Sequence, residues 1–115
     1  MKIIDDEIKK VVGIFAVLEM TPEQAKEHAE KLKNALMMDM AAEAFAEKGQ
    51  SMEDASFTQD DIEDFLTDNY EQAEIEEILS RVCRDVMVEY FSKILKGEPE
   101  DKIEKVNEIL SENFE

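Results

Sequence analysis

Four aspartates, Asp60, Asp61, Asp64 and Asp68, fall within one short stretch of the chain. On a helix, residues three and four apart stand above one another, so this spacing makes a row of carboxylates advancing about 5.4 Å per turn. Such a row attracts cations, either a metal ion or the Lys and Arg side chains of another protein. In sign and coarse spacing it resembles the charge display of a nucleic-acid backbone. Glu71 follows in the same run. From Gly49 to Ser80 there are eleven acids and no Lys or Arg, while residues 1–48 and 81–115 carry only −3 each. Eleven of the seventeen net negative charges therefore belong to about a quarter of the chain. An amphipathic helix needs a wetted face, and acids provide one. Wetting alone accounts less well for the missing bases, because mixed signs are the usual composition of a surface.

The remaining reactive side chains are few. The chain has one histidine, His28, and one cysteine, Cys83. Nucleophilic catalysis by this pair would require them to touch in the fold. Cys83 stands in the most apolar run of the chain, where a thiol is inert packing, and His28 flanks an Ala25/Leu32 stripe. No glycine-rich phosphate loop and no nucleophile elbow occur. The expectation is a protein without catalytic residues, cofactor or resident metal.

Carboxylate pairs one turn apart, Asp39 with Glu43 and Asp85 with Glu89, could meet across facing helices as in di-metal bundles. Those sites also use Glu-x-x-His, and Ala25 stands three residues before His28. The acidic run near Asp60 lacks the mid-loop glycine of a calcium loop. Four of the seven methionines, Met37, Met38, Met40 and Met52, cluster. Helical spacing turns Met37 and Met40 inward and leaves Met38 outward, as a candidate partner or dimer contact.

The elements that must position these residues read as helices throughout. Ile4, Ile8, Val11, Phe15 and Leu18 recur at alternating gaps of four and three, which predicts a helix over about 3–20. Thr21-Pro22-Glu23-Gln24 is a capping box with proline at the first helical position. The helix it opens runs to about Lys48 and stops at Gly49. Its apolar side changes direction near Leu36, so either it bends there or its two halves meet different neighbours. Residues 49–57 read as a loop. Thr58 caps a third helix with Asp61 at its third position, and Phe57 and Ile62 form a hydrophobic staple across the cap. Ile62, Phe65 and Leu66 face inward, opposite the aspartates, and a break follows near Asp68–Asn69. The fourth helix, about 71–96, is apolar over more than a stripe and belongs at the centre, with Val88 and Leu95 on its far side. Gly97 ends it, and Pro99 opens a fifth helix carrying Ile103, Val106, Leu110 and Phe114. A faint echo relates Asp39, Glu43 and Phe45 to Asp85, Glu89 and Phe91 at a constant offset, compatible with a duplicated helical hairpin.

These readings give an all-α fold: one compact bundle of about five helices, with residues 1–115 as a single domain. Leu, Ile, Val and Phe total 30 of 115 residues, enough for a core without disulfides. The acidic excess argues against direct binding to nucleic acid or to anionic membranes. No signal segment or membrane-length apolar run is apparent, and a lone cysteine suits a reducing compartment, so a cytoplasmic location is expected. The functional expectation is a non-enzymatic interaction protein. Its acidic face, Asp60, Asp61, Asp64, Asp68 and Glu71, would dock on a basic partner, in particular a nucleic-acid-binding protein that it inhibits by mimicry. Small acidic phage inhibitors of host nucleases, anti-CRISPR proteins among them, work this way; the analogy rests on charge and size alone. Two alternatives compete: a structural or homo-oligomeric subunit joined through Met38, and a carboxylate metal-binding protein.

Overall fold

The computed structural model describes residues 2–49 and 58–114. Among them there are six helices and no strand: α1 (Lys2–Lys9), α2 (Val12–Val17), α3 (Pro22–Glu47), α4 (Gln59–Asn69), α5 (Gln72–Ile94) and α6 (Glu100–Phe114). The all-α bundle expected from the periodicity is present, with its first helix broken in two. The expected loop over 49–57 lies outside the described residues except for Gly49, as do the staple partner Phe57 and Met52.

The break falls at Lys10–Val11. There the amides of Lys10 and Val11 donate to Glu7 and Ile8, three residues back rather than four, at 3.2 and 3.0 Å. Tightening the turn drives Val11 fully inside, alongside Ile4, Ile8 and Ile14. The apolar spacing continues across the turn, which is why the residues alone suggest one helix. α2 ends in a Schellman motif: Met20 N–H donates to Phe15 O, and Glu19 N–H to Ala16 O. The residue forced into the left-handed region is Glu19, at φ 56°, where an L side chain costs about 1–2 kcal/mol. Its carboxylate reaches Lys102 of α6 at 3.1 Å.

α3 begins where the capping box placed it. Gln24 N–H donates to Thr21 Oγ1 at 3.2 Å, and Thr21 N–H to Gln24 Oε1 at 3.0 Å. It runs unbroken to Glu47, and its change of apolar face reflects two sets of neighbours. α1 packs on it, with Lys33 reaching Asp5 at 3.7 Å. Its C-terminal turns pack on α4, where the Phe45 and Phe65 rings stand 4.3 Å apart. α5 lies antiparallel to α3, since Glu43 pairs with Arg81 while His28 pairs with Tyr90. α5 also packs against α1, α4 and α6, which gives it the central place its apolar content requires. Of the two residues assigned to its far side, Val88 is 47 % exposed but Leu95 is buried, because α6 folds back over the end of α5. A single core unites all six helices, and no polar or charged side chain among the described residues is buried in it.

Candidate functional site

α4 is a short helix with two unlike sides. Ile62 and Leu66 are buried, and Phe65 packs on Phe45. Asp60, Asp61, Asp64 and Asp68 all lie exposed, opposite that apolar edge. The packing of the apolar edge on α3 and α5 thus sets the direction in which the aspartates point.

Asp61 has a structural duty as well. Its Oδ2 accepts from Thr58 N–H at 3.0 Å, and its own N–H donates to Thr58 Oγ1 at 3.2 Å. Hydrogen bonding from Thr58, the backbone amide first and the hydroxyl second, holds the Asp61 carboxyl below its ordinary range. Asp60 gains from the positive helix end without a direct contact. Asp64 and Asp68 stand beyond the first turn, where that field has faded. Glu71 is exposed at the N-cap of α5, and its backbone N–H donates to Glu74 Oε1 at 3.1 Å.

Among the described residues, no basic side chain pairs with Asp60, Asp61, Asp64, Asp68 or Glu71. Seven cations engage acids elsewhere. Lys9, Lys10 and Lys33 serve Asp6, Glu7 and Asp5 of α1, and Lys31 and Lys93 serve neighbours on their own helices. Arg81 sits at the edge of the acidic stretch, 2.7 Å from Glu43 and 3.9 Å from Glu77. Lys48 lies over the Tyr70 ring at 4.9 Å rather than on an aspartate. Tyr70 seals the junction of α4 and α5: its hydroxyl donates to Ala44 O at 3.4 Å and Glu47 Oε2 at 3.3 Å. Burial first, then the charge of Glu47, raises the Tyr70 pKa. In the sequence, the signal of this tyrosine is its place at the break between two helices.

Met38 is not part of the α4 row. It is 41 % exposed on α3, whereas Met37 and Met40 are buried as their spacing required. It lines a groove between α3 and α5 together with Ala35, Asp39, Val86, Glu89, Tyr90 and Lys93. The four carboxylates of the internal echo are divided. Glu43 goes to Arg81, while Asp39 feels both Glu89 and Asp85. Partial burial first, then these two like charges, raises the Asp39 pKa. Among the described residues no three His, Cys, Asp or Glu side chains are grouped as a metal ion would need.

The histidine and the cysteine go to separate partners. His28 Nδ1 and the Tyr90 hydroxyl share a hydrogen bond of 2.7 Å, with Phe15 stacked on the imidazole. The Cys83 thiol donates to Glu7 Oε2 at 3.6 Å. Burial above all, reinforced by the charge of Glu7, pushes the thiol up to about 12, which leaves it protonated and unreactive at neutral pH.

A third feature has no counterpart in the sequence reading. Two adjoining concavities follow the line between α5 and α6, sharing Val88, Asn107 and Leu110, and among the described residues no Asp or Glu lines either of them. No helix among the described residues is long and apolar enough to cross a membrane.

The chain matches no family model, no curated protein and no solved structure.

Proposed function

We propose that this is a non-enzymatic interaction protein of the cytoplasm. Its α4 face docks on a basic surface of another protein. The supporting observation is that Asp60, Asp64 and Asp68 are exposed on one helix, with no cation of the described residues paired to them. Exposed like charges held in a row repel one another, and that repulsion is relieved when a positive surface arrives. Complementary charge speeds encounter and fixes orientation, while apolar contacts around it supply most of the affinity. Where the target's basic surface is one that holds DNA or RNA, the acidic helix competes for it and the protein acts as an inhibitor.

The test is capture from a lysate at low salt, with and without competing duplex DNA. The wild type should retain basic nucleic-acid-binding proteins that added DNA displaces. The charge-reversed variant D60K/D64K/D68K should lose them. Retention of the same proteins by both forms, at the same salt sensitivity, would refute the reading.

A further inference from the structure

The groove between α3 and α5 joins an apolar lining to carboxylates from two helices. Its floor and wall are apolar or aromatic: Ala35, Val86, the outward Met38 and the Tyr90 ring. Its charged lining is Asp39 on one helix and Glu89 with Lys93 on the other, an acidic excess of one. The concavity is about 210 Å³, the scale of a side chain rather than of a cofactor. We propose that this groove receives an arginine side chain of the basic partner, its stem against Ala35, Met38 and Val86 and its guanidinium at Asp39 and Glu89. The inference rests on the reading that the partner is basic, and adds a second, sequence-distant point of contact.

Charge complementarity selects a cation, and the apolar floor selects one with an aliphatic stem, since Arg and Lys cover apolar surface with their methylenes. Arginine fits better than lysine. Its planar fork can meet carboxylates on two helices at once, and it packs on an aromatic face such as Tyr90. Methionine is flexible and polarizable, so Met38 can settle around an incoming stem. Like-charged Asp85 stands close enough to act on Asp39, so a docked cation relieves repulsion that the free protein retains. The nearest competitor is Lys93, which pairs with Glu89 at 3.4 Å with both side chains about 70 % exposed. An exposed pair within one helix is worth little and yields readily.

The experiment titrates the full chain with the peptide acetyl-Gly-Arg-Gly-amide. The control peptide carries citrulline, which keeps the shape and loses the charge. Methionine methyl and amide NMR signals report the position. Saturable shifts should appear at Met38, Asp39 and Tyr90 with the arginine peptide. They should be absent with citrulline and weakened at least about fivefold in D39N, the loss expected for about 1 kcal/mol of charge-assisted contact. Unchanged Met37 and Met40 methyl signals establish that D39N keeps its core. The variant D60K/D64K/D68K should retain the shifts, because its changes lie on α4. Equal responses to both peptides, or shifts that persist undiminished in D39N, would overturn the proposal. An empty groove beside intact, salt-sensitive partner capture would sink the groove alone. A filled groove with no capture would sink the acidic-face reading instead.

Discussion

α5 contributes to two surfaces that treat charge in contrary ways. Near its N-terminus, together with α4, it presents Asp60, Asp64, Asp68, Glu71, Glu74 and Glu76, all exposed. Along its C-terminal half, together with α6, it borders concavities lined by Val88, Leu95, Ile103, Leu110 and Phe114, with Arg84 and Lys96 as the charged residues among those described. In a chain of net charge −17, an acidic coat serving only solubility would be expected on both. The difference teaches that the acids are distributed by element. They gather on α4 and the start of α5 and leave another groove without any among the described residues.

The comparison can be broken most forcefully by removing what holds the acidic helix in place. Leu66 is fully buried, so Leu66→Ala should lower unfolding free energy by about 2–5 kcal/mol in urea denaturation. On the other surface Val88→Thr should stay within about 0.5 kcal/mol, as exposed positions do. Equal effects would mean that α4 is not anchored by its apolar edge.

The next effect belongs to the cap. Thr58→Ala should cost about 1 kcal/mol. It should also let the Asp61 pKa, followed by carboxyl NMR, rise part of the way toward 3.8, its ordinary value, because the substitution keeps the backbone N–H that is the larger cause of the lowering. The sign follows from a folded-state pKa that lies below the unfolded one. The wild-type cap contributes its full stability above pH 3.8 and loses it as pH falls through the lowered value. The variant should show a smaller acid-side loss, since the backbone N–H at position 58 still holds the Asp61 carboxylate.

A smaller effect separates repulsion from solvation. The variant D60N/D64N/D68N should be more stable than wild type at low ionic strength, by a few tenths of a kcal/mol to about 1 kcal/mol. The gap should close as salt shortens the screening length toward about 3 Å at 1 M. A gap that ignores salt would show that the row does not repel itself.

The smallest effect concerns the groove between α3 and α5. The Asp39 pKa is raised, so the folded state holds its proton more tightly and stability falls as pH rises through the window just above 3.8. Asp39→Asn removes that dependence and should raise stability at pH 7 by no more than about 0.5 kcal/mol, measured as the difference between urea curves at pH 4 and pH 7.

Local chemistry was legible wherever the residues that decide it are neighbours in the chain. Both threonine capping boxes formed as the Thr21/Gln24 and Thr58/Asp61 spacings required. The outward turn of Met38 between inward Met37 and Met40 followed from helical period alone. What depends on packing across the chain was not legible. The one-residue tightening at Val11 preserves the apolar spacing on both sides of it, so nothing in the pattern betrays it. The approach of Asp39 to Glu89 and Asp85 was foreshadowed by the internal echo, yet the diversion of Glu43 to Arg81 needed the antiparallel pairing of α3 and α5. The groove along α6 exists only because two distant helices leave a gap.

The most direct measurement is the association rate of this protein with a captured basic partner, by stopped flow, as ionic strength is raised. Unneutralised carboxylates on α4 predict a steep fall for the wild type and a shallow one for D60K/D64K/D68K. Parallel slopes for the two proteins would contradict the account, because the aspartates would then contribute nothing to the encounter.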